Sequence, residues 1–251
     1  MDYPHLSSAP ITEAIFDIRV KSRPNFQVSD FAGLKTDLQE IFPKFEERRG
    51  GQVTFRFGPP GSEVASQPPN IQDLGLQGYF FKSEDEKLIA QFRVDGFTLN
   101  RLQPYNSWGE LESLARNLWA KYISIAQPDA ITRCGLRYIN RIVINQEHIN
   151  FDEYLGAAPQ IPSELPQALN DFLSRVTIVD DKAQIAARVT QAFEPRTSNA
   201  SVPIILDIDA FTIPNKSLND SILWDVFSEL REFKNKIFFN FLTEKTIGQL
   251  K

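Results

Sequence analysis

Strict alternation of apolar and charged residues is the feature that most constrains how this chain can fold. From Phe16 to Lys21 every second residue is apolar and the residues between are charged, and a similar period of two runs through 87–102. Successive side chains of a β-strand point to opposite faces, so this period predicts strands with one buried and one polar face. Strands are predicted at Ile11–Val20, Gln52–Phe57, Gly78–Ser83, Lys87–Leu102, Ile131–Ile144, Arg175–Val179, Ala183–Phe193 and Pro203–Ile213.

Apolar residues spaced by three or four predict helices between these strands. Ser107 with Glu110 three residues later forms a capping box, which predicts a helix that Pro128 ends. The other predicted helices are Ser29–Phe42, Leu165–Leu173 and a long one over 222–241. The segment Gly58–Gly78 holds four prolines and four glycines, which is typical of a long loop.

The order of these elements predicts the fold class and the domains. Both halves give β-α-β-β-β-α, and Asp95-Gly96-Phe97-Thr98 matches Asp209-Ala210-Phe211-Thr212, although chance can produce so short a match. We therefore predict an α+β fold, a largely antiparallel sheet with long helices packed on one face, built by internal pseudo-duplication. The halves are 1–128 and 129–251, which can form one continuous domain.

Few residues are available for the common catalytic and metal chemistries. The chain has one cysteine, Cys134, and two histidines, His5 and His148, so intrachain disulfides and Cys₄ or Cys₂His₂ zinc sites are excluded. Cys134 lies in an apolar strand and is predicted to be a buried, inert thiol. Phosphate-binding and dinucleotide-binding glycine motifs are absent, and no cofactor is predicted.

The net charge of −5 argues against nucleic-acid binding, which usually needs a basic excess. Neither a signal sequence nor a membrane-spanning apolar run is visible, so we expect a cytoplasmic protein. Twenty phenylalanines indicate a large aromatic core, although some could form a partner-binding patch.

Charged strand faces supply the candidate site. Arg137 and Arg141 lie four apart on one strand, and Asp207 and Asp209 lie two apart on another. One interpretation is a structural network of cross-strand ion pairs. The other is a polar groove, in which arginines bind phosphate and the two aspartates hold Mg²⁺. Asn100 and Arg101 are further candidates, because a strand leaves the sheet there. Lys234-Asn235-Lys236 is predicted to be a solvated helix face, or else a partner contact.

Four sequence blocks together resemble a sporadically distributed family of uncharacterised prokaryotic proteins of about this length. The resemblance spans nearly the whole chain, implies a prokaryotic origin with an accessory or defence-linked role, and supplies no catalytic residue. The blocks are Pro10-Ile11-Thr12-Glu13-Ala14; Gly96-Phe97-Thr98-x-Asn100-Arg101-x-x-Pro104-Tyr105 with Trp108; Arg133-x-Gly135-Leu136-Arg137-Tyr138-Ile139-Asn140-Arg141; and Leu230-Arg231-x-x-Lys234-Asn235 to Thr243-Glu244-Lys245.

These observations favour a non-enzymatic binding or regulatory module that acts with a partner protein in a prokaryotic accessory or defence-linked system. Base rates for soluble proteins add the expectation of a homodimer. The alternative is a metal-assisted phosphoryl- or nucleotide-processing enzyme, or a nucleotide-binding protein, that uses the groove of Arg137, Arg141, Asp207 and Asp209 with Mg²⁺.

Overall fold

One antiparallel sheet of nine strands is the framework of the molecule. The computed structural model describes residues 3–54, 70–145, 150–167, 169–193, 201–214, 216 and 218–251. The strand order is β2-β3-β4-β5-β1-β6-β9-β8-β7. The strands are β1 Ile11–Lys21, β2 Lys44–Thr54, β3 Asn70–Lys82, β4 Leu88–Arg93, β5 Gly96–Leu102, β6 Ala130–Ile144, β7 Phe172–Asp180, β8 Ile185–Phe193 and β9 Val202–Thr212.

Four α-helices and two 3₁₀ turns complete the described structure. The helices are α1 Leu34–Asp37, α2 Trp108–Ala126, α3 Leu223–Phe241 and α4 Glu244–Leu250, and the 3₁₀ turns are Val28–Gly33 and Phe151–Glu153. The predicted cap of α2 is confirmed, because the Ser107 hydroxyl accepts a hydrogen bond from the Glu110 backbone N–H at 3.3 Å. Among the described residues, none of the helices has the length and apolar character needed to cross a membrane.

The first strand of the chain lies at the centre of the sheet. β1 pairs with β6 over most of its length, with Phe16 opposite Leu136, and β5 flanks β1 on its other side. The sheet is therefore continuous across the 128/129 boundary, which lies between α2 and β6. The division into halves 1–128 and 129–251 stays a prediction.

Alternation along each strand creates two unlike faces. On β1, Ala14, Phe16 and Ile18 are fully buried on one face, whereas Asp17 and Arg19 lie on the other. On the buried face, the Phe16 ring lies 5.1 Å from Trp108 of α2 and 4.9 Å from Phe227 of α3. Aromatic rings at such separations contribute roughly 1 kcal/mol per pair beyond their area burial. The apolar face is therefore the core, and the other face carries the charges.

The predicted α+β fold with long helices packed on one face was wrong. Strands dominate, and α1 and α4 have only 4 and 7 residues, while α2 and α3 have 19 each. A nine-stranded sheet is roughly 40 Å wide and a helix about 10 Å across, so two such helices do not form the expected layer. The molecule is a mainly antiparallel single sheet with helices as additions.

The predicted internal pseudo-duplication of a β-α-β-β-β-α unit was also wrong. Among the described residues, five strands precede α2 and four follow it, and the matched tetrapeptides occupy opposite ends of their strands. Phe97 stands at the beginning of β5, opposite Ile18, whereas Phe211 stands at the end of β9, opposite Gly135. The short sequence match therefore has no structural counterpart.

Three local predictions also needed correction. Instead of one helix, Ser29–Phe42 contains a 3₁₀ turn and the single turn of α1. The segment predicted as a loop, Gly58–Gly78, enters β3 at Asn70, and its earlier part lies outside the described residues. The predicted helix Leu165–Leu173 is irregular where it is described, and β7 begins at Phe172.

Candidate functional site

A ladder of alternating charges crosses the polar face of the sheet. It runs from Arg93 through Asp17, Arg133 and Asp209 to Arg188, and we call these five residues the charge ladder. The Asp17 carboxylate accepts from Arg93 at 3.1 Å and from Arg133 at 3.0 Å. Arg133 then reaches Asp209 at 3.3 Å, and Arg188 lies 3.7 Å from the same carboxylate. The members of the ladder therefore each meet an opposite charge.

The Asp17 carboxylate is stabilised in its charged form by several neighbours. Burial by itself raises its pKa, but the Arg19 and Arg93 guanidiniums and a hydrogen bond from Thr98 outweigh burial and hold the pKa below its usual value. The Arg93 side chain is 5% exposed and that of Asp17 16%, so the pair is largely removed from water. The ladder is a structural ion-pair network, and of the four residues for which the sequence suggested such a network it includes Asp209.

The predicted site residues Arg137 and Asp207 bind each other. Arg137 donates from Nε at 2.8 Å and from Nη2 at 2.6 Å to the two carboxylate oxygens of Asp207. The hydrogen bonds to Asp207 come first among the causes that raise the pKa of Arg137. A bidentate pair of this kind uses the donors that a phosphate would need. The arrangement therefore lends no support to the phosphoryl-processing alternative.

The remaining candidates have separate partners. Asn100 donates to Glu13 at 2.7 Å, and Arg101 donates from Nε to the Pro104 carbonyl at 3.0 Å. The backbone N–H of Arg141 donates to the Pro10 carbonyl at 2.8 Å. Within the described ranges, no group of three or more His, Cys, Asp or Glu side chains is placed to hold a metal ion. Whether any of these residues binds a ligand stays a prediction.

A cavity opens on the opposite side of the sheet, between the apolar face of β6 and α3. It has a volume of about 760 Å³, and its walls come from residues 3–11, the loop 103–108, β6 and α3. We call it the Lys234 pocket. Its polar and aromatic lining includes Tyr105, Trp108, Tyr138, Asn140, Arg231 and Lys234.

Lys234 is the unusual member of this lining. It is 9% exposed, and its ammonium lies 4.0 Å from the centre of the Tyr138 ring. No hydrogen bond or ion pair to its ammonium is found within the part of the chain that the structure describes. Burial, assisted by the nearby Arg231, lowers its pKa from 10.5 to about 7, while Glu232 opposes the shift. The burial of the Lys234 ammonium therefore costs the folded protein free energy.

Arg231 places a second cation one helical turn from Lys234. Its guanidinium lies 5.1 Å from the centre of the Trp108 ring and, among the described residues, meets no carboxylate. None of the described lining residues is acidic. Like charges three apart on a helix repel each other. These two cations therefore face one cavity without a described acid in its lining, whereas each arginine of the charge ladder contacts a carboxylate.

Two tyrosine hydroxyls lie beside these cations. Tyr105 and Tyr138 share a hydrogen bond of 2.9 Å, and burial raises the pKa of each. Both hydroxyls therefore stay protonated near neutral pH, and the one that accepts the shared hydrogen bond keeps its own proton to donate to a ligand. The Asn140 amide is already engaged, since it donates to the Leu206 carbonyl at 2.9 Å.

Residues 3–11 form the outer wall of the pocket. Tyr3 stacks on Phe239 of α3 with ring centres 4.8 Å apart, and the Ser8 N–H donates to the Leu250 carbonyl at 3.0 Å. The Ser7 hydroxyl donates to the Lys251 carbonyl. His5 is exposed on this wall, whereas His148 lies outside the described residues.

Cys134 takes no part in either site. It is fully buried, and burial raises the pKa of its thiol to about 12. The predicted inert thiol is confirmed, because the thiolate is the reactive form.

The prediction that Lys234 lies on a solvated face was wrong. Leu230, Lys234 and Phe238 are spaced by four, so Lys234 falls within the buried stripe of α3, and this spacing was the signal that could have found it. Each of the four blocks behind the family resemblance contributes to the pocket; examples are Pro10, Tyr105, Tyr138 and Lys234. No protein-family model and no curated protein matches the chain.

Proposed function

We propose that this protein is a non-enzymatic binding module whose Lys234 pocket holds a small anionic ligand. The observation that carries the proposal is the pair Arg231 and Lys234, which face one cavity lined by no described acidic residue. A carboxylate or phosphate between them would bring a negative charge to both cations and accept charge-assisted hydrogen bonds.

The cost of burying Lys234 without an ionic partner supports this proposal. A lysine at 9% exposure with only a ring contact loses its hydration without an ionic partner. Structural lysines normally pair with carboxylates, as the arginines of the charge ladder do here. An anion that enters the pocket would raise the pKa of Lys234 again and stabilise the folded chain.

The aromatic walls fit a ligand with a nonpolar part. Trp108 and Tyr138 each present a ring beneath a cation, and Phe238 and Phe239 line the same cavity. Pockets for small molecules are usually apolar, with a few placed polar groups that fix orientation. The Tyr105–Tyr138 hydroxyl pair would supply such a group.

The test is a thermal-shift and calorimetric screen with phosphate, glycolate and glycerol 3-phosphate as probes. Binding to the folded state stabilises it by about 2.7 kcal/mol at a hundredfold excess over Kd. Arg231→Gln should weaken binding roughly 10- to 100-fold, since a hydrogen bond to a charged group is worth about 1.5–3 kcal/mol.

Lys236→Gln is the matched control, because Lys236 is exposed on the same helix. It should bind as the parent does. The proposal is overturned if no probe binds the parent protein, or if Arg231→Gln and Lys236→Gln weaken binding equally.

The expected partner protein and the accessory or defence-linked role belong to the same proposal; the role rests on the family resemblance, and the partner on the abundant phenylalanines and the long amphipathic α3. The outer wall of the pocket, residues 3–11, offers a way to couple the two, because a ligand would contact a segment that partly faces solvent. Pull-down with and without a binding probe tests this part, and a partner retained equally in both states would contradict the coupling.

A further inference from the structure

We propose that Lys234 captures a carbonyl-bearing anion as a reversible imine, with Arg231 holding the acid group of the same ligand. This inference rests on the proposed function and names its ligand class: a small aldehyde or ketone that carries a carboxylate or phosphate. It differs from simple anion binding because a covalent bond forms at the lysine nitrogen.

The placement of Lys234 provides the nucleophile. Lys234 lines the cavity, is 9% exposed, and forms no ion pair within the described residues, although Glu232 lies near enough to favour its ammonium form. A lysine becomes nucleophilic when it is desolvated or lies beside another cation, and Arg231 meets the second condition here. The pKa of about 7 is consistent with this geometry. At that pKa, Lys234 is a free amine in about half of the protein molecules near neutral pH.

Arg231 provides the orientation. Residues three apart on a helix have Cβ atoms about 5–6 Å apart, so one small molecule can reach both side chains. A guanidinium binds carboxylate or phosphate through two parallel hydrogen bonds. With the acid group fixed, the carbonyl carbon of the ligand lies toward Lys234.

The reaction balances without an oxidant or a reductant. The lysine nitrogen lone pair attacks the carbonyl carbon and gives a carbinolamine. The nitrogen then forms a double bond to carbon, and the former carbonyl oxygen leaves as water with the two protons of the amine. The Tyr105–Tyr138 hydroxyl pair, which is held protonated, would donate a hydrogen bond to that oxygen as it leaves.

The experiment uses glyoxylate, which has an aldehyde and a carboxylate, and glycolate, which has an alcohol in place of the aldehyde. Protein is incubated with each near neutral pH in the presence of cyanoborohydride, and trapped adducts are located by peptide mass spectrometry. At pH 7 the free-amine fraction of Lys234 is roughly a thousandfold that of an ordinary lysine. We therefore expect glyoxylate to be trapped first at Lys234 and far more slowly at Lys236, and glycolate to bind without an adduct.

Two variants complete the test. Lys234→Met should abolish the adduct at this position while Arg231 still binds glycolate, and Arg231→Gln should slow trapping at Lys234 roughly 10- to 100-fold at low glyoxylate. Circular dichroism confirms that each variant is folded.

The outcomes separate the two proposals. If glycolate binds in an Arg231-dependent way but glyoxylate is not trapped preferentially at Lys234, the imine is overturned and the anion site stands. If Lys234 is trapped rapidly but equally in Arg231→Gln, and glycolate does not bind, the anion site is overturned and only a reactive lysine remains. If neither occurs, both proposals fail.

Discussion

The charge ladder and the Lys234 pocket treat buried charge in opposite ways. In the ladder, Arg93 is more deeply buried than Lys234, and it meets Asp17 at 3.1 Å and Thr98 at 2.7 Å. In the pocket, Lys234 and Arg231 meet aromatic rings instead. Charges that serve structure are paired within the chain, whereas unpaired buried cations store an interaction that an external group can complete.

Removal of the acid that three arginines share in the ladder should cause the largest change in stability. Asp17→Asn leaves the buried Arg93 and the adjoining Arg19 and Arg133 without their shared carboxylate. Loss of one partner of a buried pair costs about 3–5 kcal/mol, and we expect that loss in urea unfolding. Asp181→Asn, in an exposed turn, is the control and should change stability by less than about 0.5 kcal/mol. An equal effect of both would refute the paired ladder.

In the pocket, removal of the buried charge should stabilise the folded protein instead of destabilising it. Lys234→Met replaces a desolvated cation with an apolar side chain of similar length, and should stabilise the folded protein by about 1–4 kcal/mol near pH 6. Lys236→Met, exposed on the same helix, should be neutral within about 0.5 kcal/mol. Denaturant midpoints measure both, and destabilisation by Lys234→Met would mean that the ammonium has a supporting contact.

Lys234 and Asp17 should also make the stability of the protein depend on pH in two different pH ranges. The folded-state pKa of Lys234, about 7, lies below its unfolded value of 10.5, so between these values the unfolded chain binds the extra proton. Parent stability should therefore rise with pH across that window, by up to about 1.4 kcal/mol per unit relative to Lys234→Met, and the difference should be constant below pH 7. The lowered pKa of Asp17 acts at the other end: its contribution is present above about pH 4 and is lost as pH falls. A flat difference between pH 7 and 10 would contradict the burial of an unpaired lysine.

The smallest effects should come from the exposed end of the polar face. Arg137→Lys keeps the charge but loses the two-pronged contact with Asp207, and should cost about 1 kcal/mol. Arg188→Lys should cost less than about 0.5 kcal/mol, because Arg188 is half exposed and 3.7 Å from Asp209. Thermal unfolding of the two variants side by side measures the difference, and equal costs would remove the distinction between them.

Sequence patterns predicted what depends on a single strand. The run from Ile131 to Ile144 alternates because only one of its faces is buried, and β6 forms almost as predicted, at Ala130–Ile144. The edge strand β2 was largely missed, because charges on both of its faces, such as Glu46, Glu47, Arg48 and Arg49, mask the period. Such charges protect an exposed edge from unwanted pairing, so the same property that suits β2 to the edge hides it from pattern analysis.

Of the two sites, the sequence could predict the ion pairs of the polar face but not the pocket. A pairing of Arg137 with Asp207 or Asp209 could be foreseen, since both lie on the polar faces of predicted strands. The pocket could not, because no local pattern reports that residues 3–11 meet 231–239 across the end of β6. Helix spacing alone marked Lys234 as misplaced in an apolar stripe, and only the neighbouring elements reveal that the stripe borders a cavity there.

The wall formed by residues 3–11 also has a consequence for how the molecule is assembled. Ser7 contacts Lys251 across 244 positions of sequence, so this wall closes only after α3 and α4 have been synthesised and docked. A chain interrupted before α3 could carry the whole charge ladder, on β1 to β9, but would lack the α3 wall of the cavity. Contacts between such distant segments form late and slowly, because the entropy of closing a long loop must be overcome first. A molecule bound in the pocket would therefore stabilise the contacts that form last in folding. Only chains in which the whole sheet has formed would bind it.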